Sequence, residues 1–344
     1  MDNRGLLDLI ISLLPDLRIT DKIKLLESFN NEEELFVQSK KDIENILEHQ
    51  IKTFWDIREI HEKAGRIDTI CKMRSFNWVS YMDSDYPPLL RESYDPPPVI
   101  FYKGILPDPE KSLLGMVGTR NPSPQAAEQA YKIAGNIGRA GVSVISGLAI
   151  GIDTMSHRGN LIGNAPGFAV LGSGIDEIYP SLNRPLAKRI LDSGGAIISE
   201  YPPGTKPAKW TFPARNRIIA AFSRSVLVVE APEKSGSLIT AAFALEQGKD
   251  LWVASSGVNV IPAGTDLREY LKYDKRGTTK LANDGAEIIH SACDVLEKWE
   301  LAASGNYVNN AFLSIKINED SLNEEQSAKK TLVSSMADFL KIEI

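Results

Sequence analysis

The sequence predicts an α/β protein: a Rossmann-like, doubly wound, mostly parallel sheet preceded by a small all-α unit. Three observations predict it. Apolar runs begin near residues 113, 142, 167, 196, 225 and 250, at the spacing of about 25 to 30 residues that βαβ units require. Helical patterns start between them, near Pro124, Asp153, Pro185, Ala214 and Ser237. The runs are apolar throughout rather than alternating, as strands covered by helices on both faces must be.

Residues 1–75 carry helical periodicity in LLDLIISLL, KIKLLESF, EEELFVQ and KKDIENILEH, and few β-branched runs. Several short helices joined by polar turns form a small domain like a helix-hairpin-helix or SAM module. Leu14-Pro15-Asp16-Leu17 stands where a DNA-binding hairpin would carry glycines. Without them, packing or partner contact is the favoured role. Pro87, Pro88, Pro96, Pro97 and Pro98 then break any continuous helix, so residues 76–112 are an extended wrap, with Val99–Tyr102 as an edge strand. Pro124 and Pro185 suit first-turn helix positions, and Ser123 suits the cap before the first. Past Ala254 the regularity fades. Residues 258–275 read as a charged excursion, and 301–344 as a polar tail with a terminal helical pattern, too short for a full winged helix.

Composition narrows the partners. A net charge of −6 gives no whole-molecule attraction to a polyanion, so any nucleic acid must meet a local patch. Two cysteines, Cys71 and Cys293, make neither a disulfide framework nor a metal cluster, which suits a reducing cytoplasm. No secretory leader, membrane span, metal or cofactor is expected.

The loops after the strands hold the candidate chemistry. Gly118-Thr119-Arg120 reads as a phosphate seat: glycine permits close approach, threonine donates a hydroxyl, and arginine binds two oxygens at once. Ser146-Gly147 through Gly151 and Ser235-Gly236-Ser237 bring small residues to helix starts, where unsatisfied N–H groups and the positive dipole end favour anions. None of these loops is a GxGxxG or a P-loop, and no GxSxG is present. Asp153 and His157 share a helical face, and a cap hydrogen-bonded to a histidine one turn on is favoured over an acid/base pair. Between Glu200 and Glu230 there is no acidic residue, while Lys206, Lys209, Arg215, Arg217 and Arg224 are basic and Trp210 and Phe212 are interleaved. Basic groups with aromatic platforms suit single-stranded nucleic acid. Whether Trp210 is a platform or a plug over the sheet stays open.

In this order, the segments MVGTRNPSP, VSVISGLAIGIDTMSHRG, AVLGSGIDEIYPSLNRPLA, IISEYPPGT, FPARNRIIAAFSRSVLVVEAPEKSGSLITAAFALEQGKD and RGTTKLANDGA closely resemble the DNA-processing protein A (Smf) family over roughly residues 80–290. The resemblance implies an extended Rossmann-like domain spanning 76–300 that binds single-stranded DNA without catalysis. It also implies protection of incoming DNA in natural transformation, loading of the RecA recombinase, and a homodimer. Carried over by position, Arg120 contacts phosphate, Lys209 assists, and Phe212 faces a base. Gly118, Thr119, Ser146, Gly147 and Ser235–Ser237 form the rims, and Arg215 and Arg217 match the R-N-R core. Thr119 stands where serine is commoner, and the 258–275 excursion interrupts the usual passage after the sixth strand. The competing class is a Rossmann-like nucleotide-binding or N-glycosidic-bond-cleaving enzyme. Its P-G-G-x-G-T-x-x-E loop is replaced here by APEKSGSLITA, without the glutamate in register.

Overall fold

The structure, a computed structural model, describes residues 4–53, 55–258 and 272–301. Most of the 258–275 excursion and the 301–344 tail therefore fall outside the described residues. The expected sheet is present. Its nine described strands are β1 (Asn77–Ser80), β2 (Val99–Gly104), β3 (Leu113–Val117), β4 (Ser143–Ser146), β5 (Phe168–Leu171), β6 (Ala196–Ser199), β7 (Ser225–Val228), β8 (Asp250–Ala254) and β9 (Glu287–Ile289), ordered β1-β2-β6-β5-β4-β3-β7-β8-β9. From β6 to β9 across the sheet all neighbours are parallel, while β1 with β2 and β2 with β6 are antiparallel. The chain steps from β3 to β6 on one side and then returns to the other side of β3 with β7. That reversal is the topological switch point, and ligands of such sheets sit beyond the carboxyl ends of the strands there.

One strand expectation needs correcting. Val99–Tyr102 lies inside the sheet, because β1 pairs along it and takes the edge. Four residues, NWVS, are too few to announce a strand by periodicity. The proline-rich lead-in closes over the sheet, with Tyr86 fully buried and its hydroxyl donating to Pro97 O at 2.7 Å.

Helices α1 (Leu7–Leu13), α2 (Ile19–Ser28), α3 (Glu32–Phe36), α4 (Lys40–Leu47) and α5 (Ile57–Arg74) form the N-terminal part. The first four have ten residues or fewer and are marginal alone, so packing must hold them, whereas α5 runs for 18 residues. In α1, Leu7, Leu9, Ile10 and Ile11 are all fully buried, each contributing at most about 1.5–3 kcal/mol. Asn31, Ser39 and Asp56 cap α3, α4 and α5 through their side chains. In the Leu14–Leu17 turn, Leu14 is buried and Asp16 takes a left-handed φ of 58°. These helices share one apolar cluster with the sheet residues Val99, Phe101, Ala169, Leu171 and Ile197.

A short helix, α6 (Pro88–Arg91), belongs to the lead-in. The crossovers follow as α7 (Pro124–Arg139), α8 (Ile152–Ile162), α9 (Arg184–Asp192), α10 (Thr211–Phe222) and α11 (Gly236–Glu246). Pro124 opens α7, and the Ser123 hydroxyl accepts from Ala126 N–H, as its sequence position suggests. Helices α7 and α8 pack backbone to backbone: a Cβ on Gly159 would lie 2.2 Å from Tyr131 O. Any larger residue there would force the helices apart.

Candidate nucleic-acid interface

A cavity of about 620 Å³ opens at the switch point. The loop after β3 (Gly118, Thr119, Arg120) forms one lip, and the loop from Pro232 to Ser237 with the start of α11 forms the other. Lys209, Phe212 and Asn216 of the α10 region and Tyr179 of the loop after β5 complete it. The lips are tied together. Thr119 N–H donates to Glu230 O at 2.7 Å, and the buried Glu230 carboxylate accepts from Ser123 N–H at 2.8 Å and from its hydroxyl at 2.5 Å. Gly118 must be glycine, since a Cβ would meet Ile152 Cγ1 at 2.6 Å.

Inside, the Arg120 guanidinium lies over the Phe212 ring at 5.7 Å, and Tyr179 packs against the same ring with centroids 5.5 Å apart. Arg120 is exposed and Phe212 half-buried. Phe212 is held from behind by Gly172, where a Cβ would come within 2.8 Å of its Cδ1. Opposite, the Ser235 hydroxyl caps α11 by accepting from Ser237 N–H at 3.3 Å, and the exposed Lys234 stands beside it. A cation, an aromatic face and a helix N-terminus converge, which suits a phosphate next to a flat ring.

The family model for DNA recombination-mediator protein A matches residues 77–300. This chain belongs to that family. It is 37% identical over 244 residues to DNA processing protein DprA of Bacillus subtilis, covering 71% of this chain and 78% of that protein. It is 43% identical over 218 residues to protein Smf of Synechocystis, covering 62% of this chain but only 52% of that protein, so the chain spans about half the length of that relative. DNA processing protein A of Streptococcus pneumoniae superposes with a TM-score of 0.64 at 32% identity, over 86% of this chain and 98% of that one. A structure of the Helicobacter pylori DNA processing protein A, which describes its single-stranded DNA binding mode, superposes with a TM-score of 0.54 at 25% identity, over 65% of this chain and 95% of that one.

The expected site residues separate into two layers. Gly118, Thr119, Arg120, Lys209, Phe212 and Ser235–Ser237 line the cavity. Four others are buried, and of these only Arg215 also touches the cavity wall. Ser146 is fully buried, and its hydroxyl donates to Met116 O at 2.6 Å. Gly147 is roofed by Arg215, whose Nη2 would sit 2.4 Å from a Cβ there. Arg215 reaches the cavity wall but is 5% exposed; its Nη1 donates to Gly147 O at 2.9 Å and to Val170 O, and its Nε donates to Asn216 Oδ1 at 3.1 Å. Burial pulls its pKa down to about 10 against the opposing pull of Asp153. Arg217 is turned away altogether: Nη2 meets Glu200 Oε2 at 2.7 Å and Nε meets Asp95 Oδ2 at 3.1 Å. Burial would lower its pKa, and Glu200 overrides that and raises it.

The basic run 201–229 therefore overstates the patch. Lys206 pairs with Glu177 at 3.1 Å, and Arg224 lies 5.2 Å from the Trp299 ring centre. Only Lys209 and Arg215 of its five cations line the cavity. Trp210 is not a plug over the sheet, being 65% exposed.

The expected Asp153–His157 bond is absent. Gly151 holds the cap position of α8, while Asp153 Oδ2 accepts from Gly147 N–H at 3.1 Å and Ala149 N–H at 3.3 Å. Burial raises its pKa. His157 is fully buried with no hydrogen-bond partner on either ring nitrogen, and burial holds its pKa down at about 3. Tyr179 and Asn216 are lining residues that sequence reasoning missed. Tyr179 sits on a separate loop with no pattern to single it out, and Asn216 is hidden between two arginines. Among the described residues, no helix is long and apolar enough to cross a membrane.

Proposed function

We propose that this protein is a non-enzymatic single-stranded DNA binder of the cytoplasm that mediates recombination. In this reading it protects incoming DNA during natural transformation and helps load RecA, acting as a homodimer. The observation that carries the reading is the Arg120–Phe212–Tyr179 cluster, which lines one open cavity with the α11 N-terminus. Arginine and the helix end serve phosphates, and the ring serves an unpaired base. A duplex keeps its bases stacked internally and cannot offer one. The helices of residues 1–75, which share an apolar cluster with the sheet, serve in packing or partner contact rather than as a second DNA module.

Acid/base chemistry has little to work with here. Asp153 is the one carboxylate lining the cavity among the described residues, and its Oδ2 is occupied by two loop N–H groups. The test is a titration of single-stranded and duplex oligonucleotides at two salt concentrations, with release of free base from nucleoside monophosphates measured alongside. The expected result is tighter binding of single strands, weakening with salt by counterion release, and no base release above background. Equal affinity for both forms removes the stacking argument, and base release would put the N-glycosidic enzyme reading first.

A further inference from the structure

Trp210 lies outside the cavity and belongs to no part of the site described above. A single exposed apolar residue is ordinary and needs no explanation. Three further facts set this one apart. The indole stands edge-on to the half-buried Tyr201 ring, with centroids 5.9 Å apart and planes at 83°, so it is propped rather than loose. The turn beneath it is locked, since Thr211 Oγ1 donates to Gly172 O while accepting from Ala208 N–H at 3.1 Å. Finally, Lys209, which is exposed and lines the cavity, immediately precedes it.

Trp210 and Phe212 are two residues apart at the start of α10, so their side chains leave the helix axis in nearly opposite directions. Phe212 points into the cavity, and Trp210 stays outside it. We propose that Trp210 is a second stacking platform for an unpaired base, so that a strand leaving the cavity passes Lys209 and lays a further base on the outer shoulder of α10. The inference rests on the single-stranded DNA reading and adds to it a path and a footprint larger than the cavity. A propped indole on a locked turn loses little entropy when a base settles on it, which is why the residue is worth exposing.

The experiment combines Trp210→Ala and Trp210→Phe with three ligands: a long oligothymidylate, an abasic strand of equal length, and a thymidine dinucleotide. Trp210→Ala should weaken the oligothymidylate about fivefold or more, the lower end of what one stacked base contributes. The abasic strand and the dinucleotide should bind as to wild type, the salt slope should be unchanged, and Trp210→Phe should recover most of the loss. An equal loss on the thymidine and abasic strands, or no loss at all, overturns the inference. So does a change in oligomeric state by light scattering, which would make the indole a protein contact. Failure of the wild type to bind any single strand removes the DNA reading itself, a result distinct from all of these.

Discussion

Arg120 is exposed and Arg217 buried, and their surroundings give them opposite work. Arg120 is exposed on a lip, over an aromatic ring. Arg217 has a side chain 7% exposed and is held between Glu200 and Asp95. Charge on the rim is available to a ligand, whereas charge in the foundation is already committed to the fold. Arg215 stands between these extremes, touching the cavity while bracing the loop after β4 and the end of β5. Residue type alone therefore does not mark a binding site; the neighbouring carboxylates and the depth decide.

The largest effect should come from the foundation. Arg217→Ala strands Glu200, whose side chain is 13% exposed, and should cost about 3 kcal/mol in a denaturant titration, as expected when one partner of a buried pair is removed. The fraction that remains folded should bind oligonucleotide as wild type does. If affinity falls with stability unchanged, Arg217 belongs to the rim after all.

His157 sharpens the contrast through pH. Its value of about 3 lies below its ordinary 6.5, so the unfolded chain binds a proton that the fold, with Arg215 nearby, refuses. The stability tied to the neutral ring is complete above pH 6.5 and is lost as pH falls toward 3, by up to about 1.4 kcal/mol per pH unit. His157→Gln should flatten that part of the stability–pH curve and leave affinity at neutral pH near wild type. A variant curve parallel to wild type between pH 7 and 5 would mean that the ring titrates normally in the fold.

The smallest effects on stability belong to the rim. Arg120→Ala and Lys209→Ala should each leave the unfolding free energy unchanged within about 0.5 kcal/mol. Each should reduce the slope of log affinity against log salt by about 0.7, the share of one neutralised phosphate on a single strand. Phe212→Ala should weaken binding by about 1–3 kcal/mol with little change in that slope. A sharply lowered melting temperature with normal binding by the folded fraction would make Phe212 a core residue.

The sheet was legible because its signal is local. Each run such as Leu113–Val117 or Ser225–Val228 is apolar or small and is buried along its whole length. β1 was not, since four residues are too few to carry a period, and missing it turned β2 into a false edge. Within the site, lips that begin at a strand end were legible for the same reason. The charge of the 201–229 run was misjudged because neutralisation is a matter of three dimensions. Glu200 adjoins that run in sequence, but Asp95 and Glu177 reach it only through the fold. That His157 is buried without a hydrogen-bond partner is likewise invisible in a spacing that matches a hydrogen-bonded pair.

Glu230 joins the two lips through Ser123 and the Thr119 amide, and Lys275 Nζ lies 3.6 Å from its carboxylate. The kinetic consequence is that an arriving strand meets a mouth that is already assembled. No slow closing step then intervenes between encounter and capture, so association should trace a single exponential whose rate grows in proportion to strand concentration. Differences among strands would appear in how long they stay.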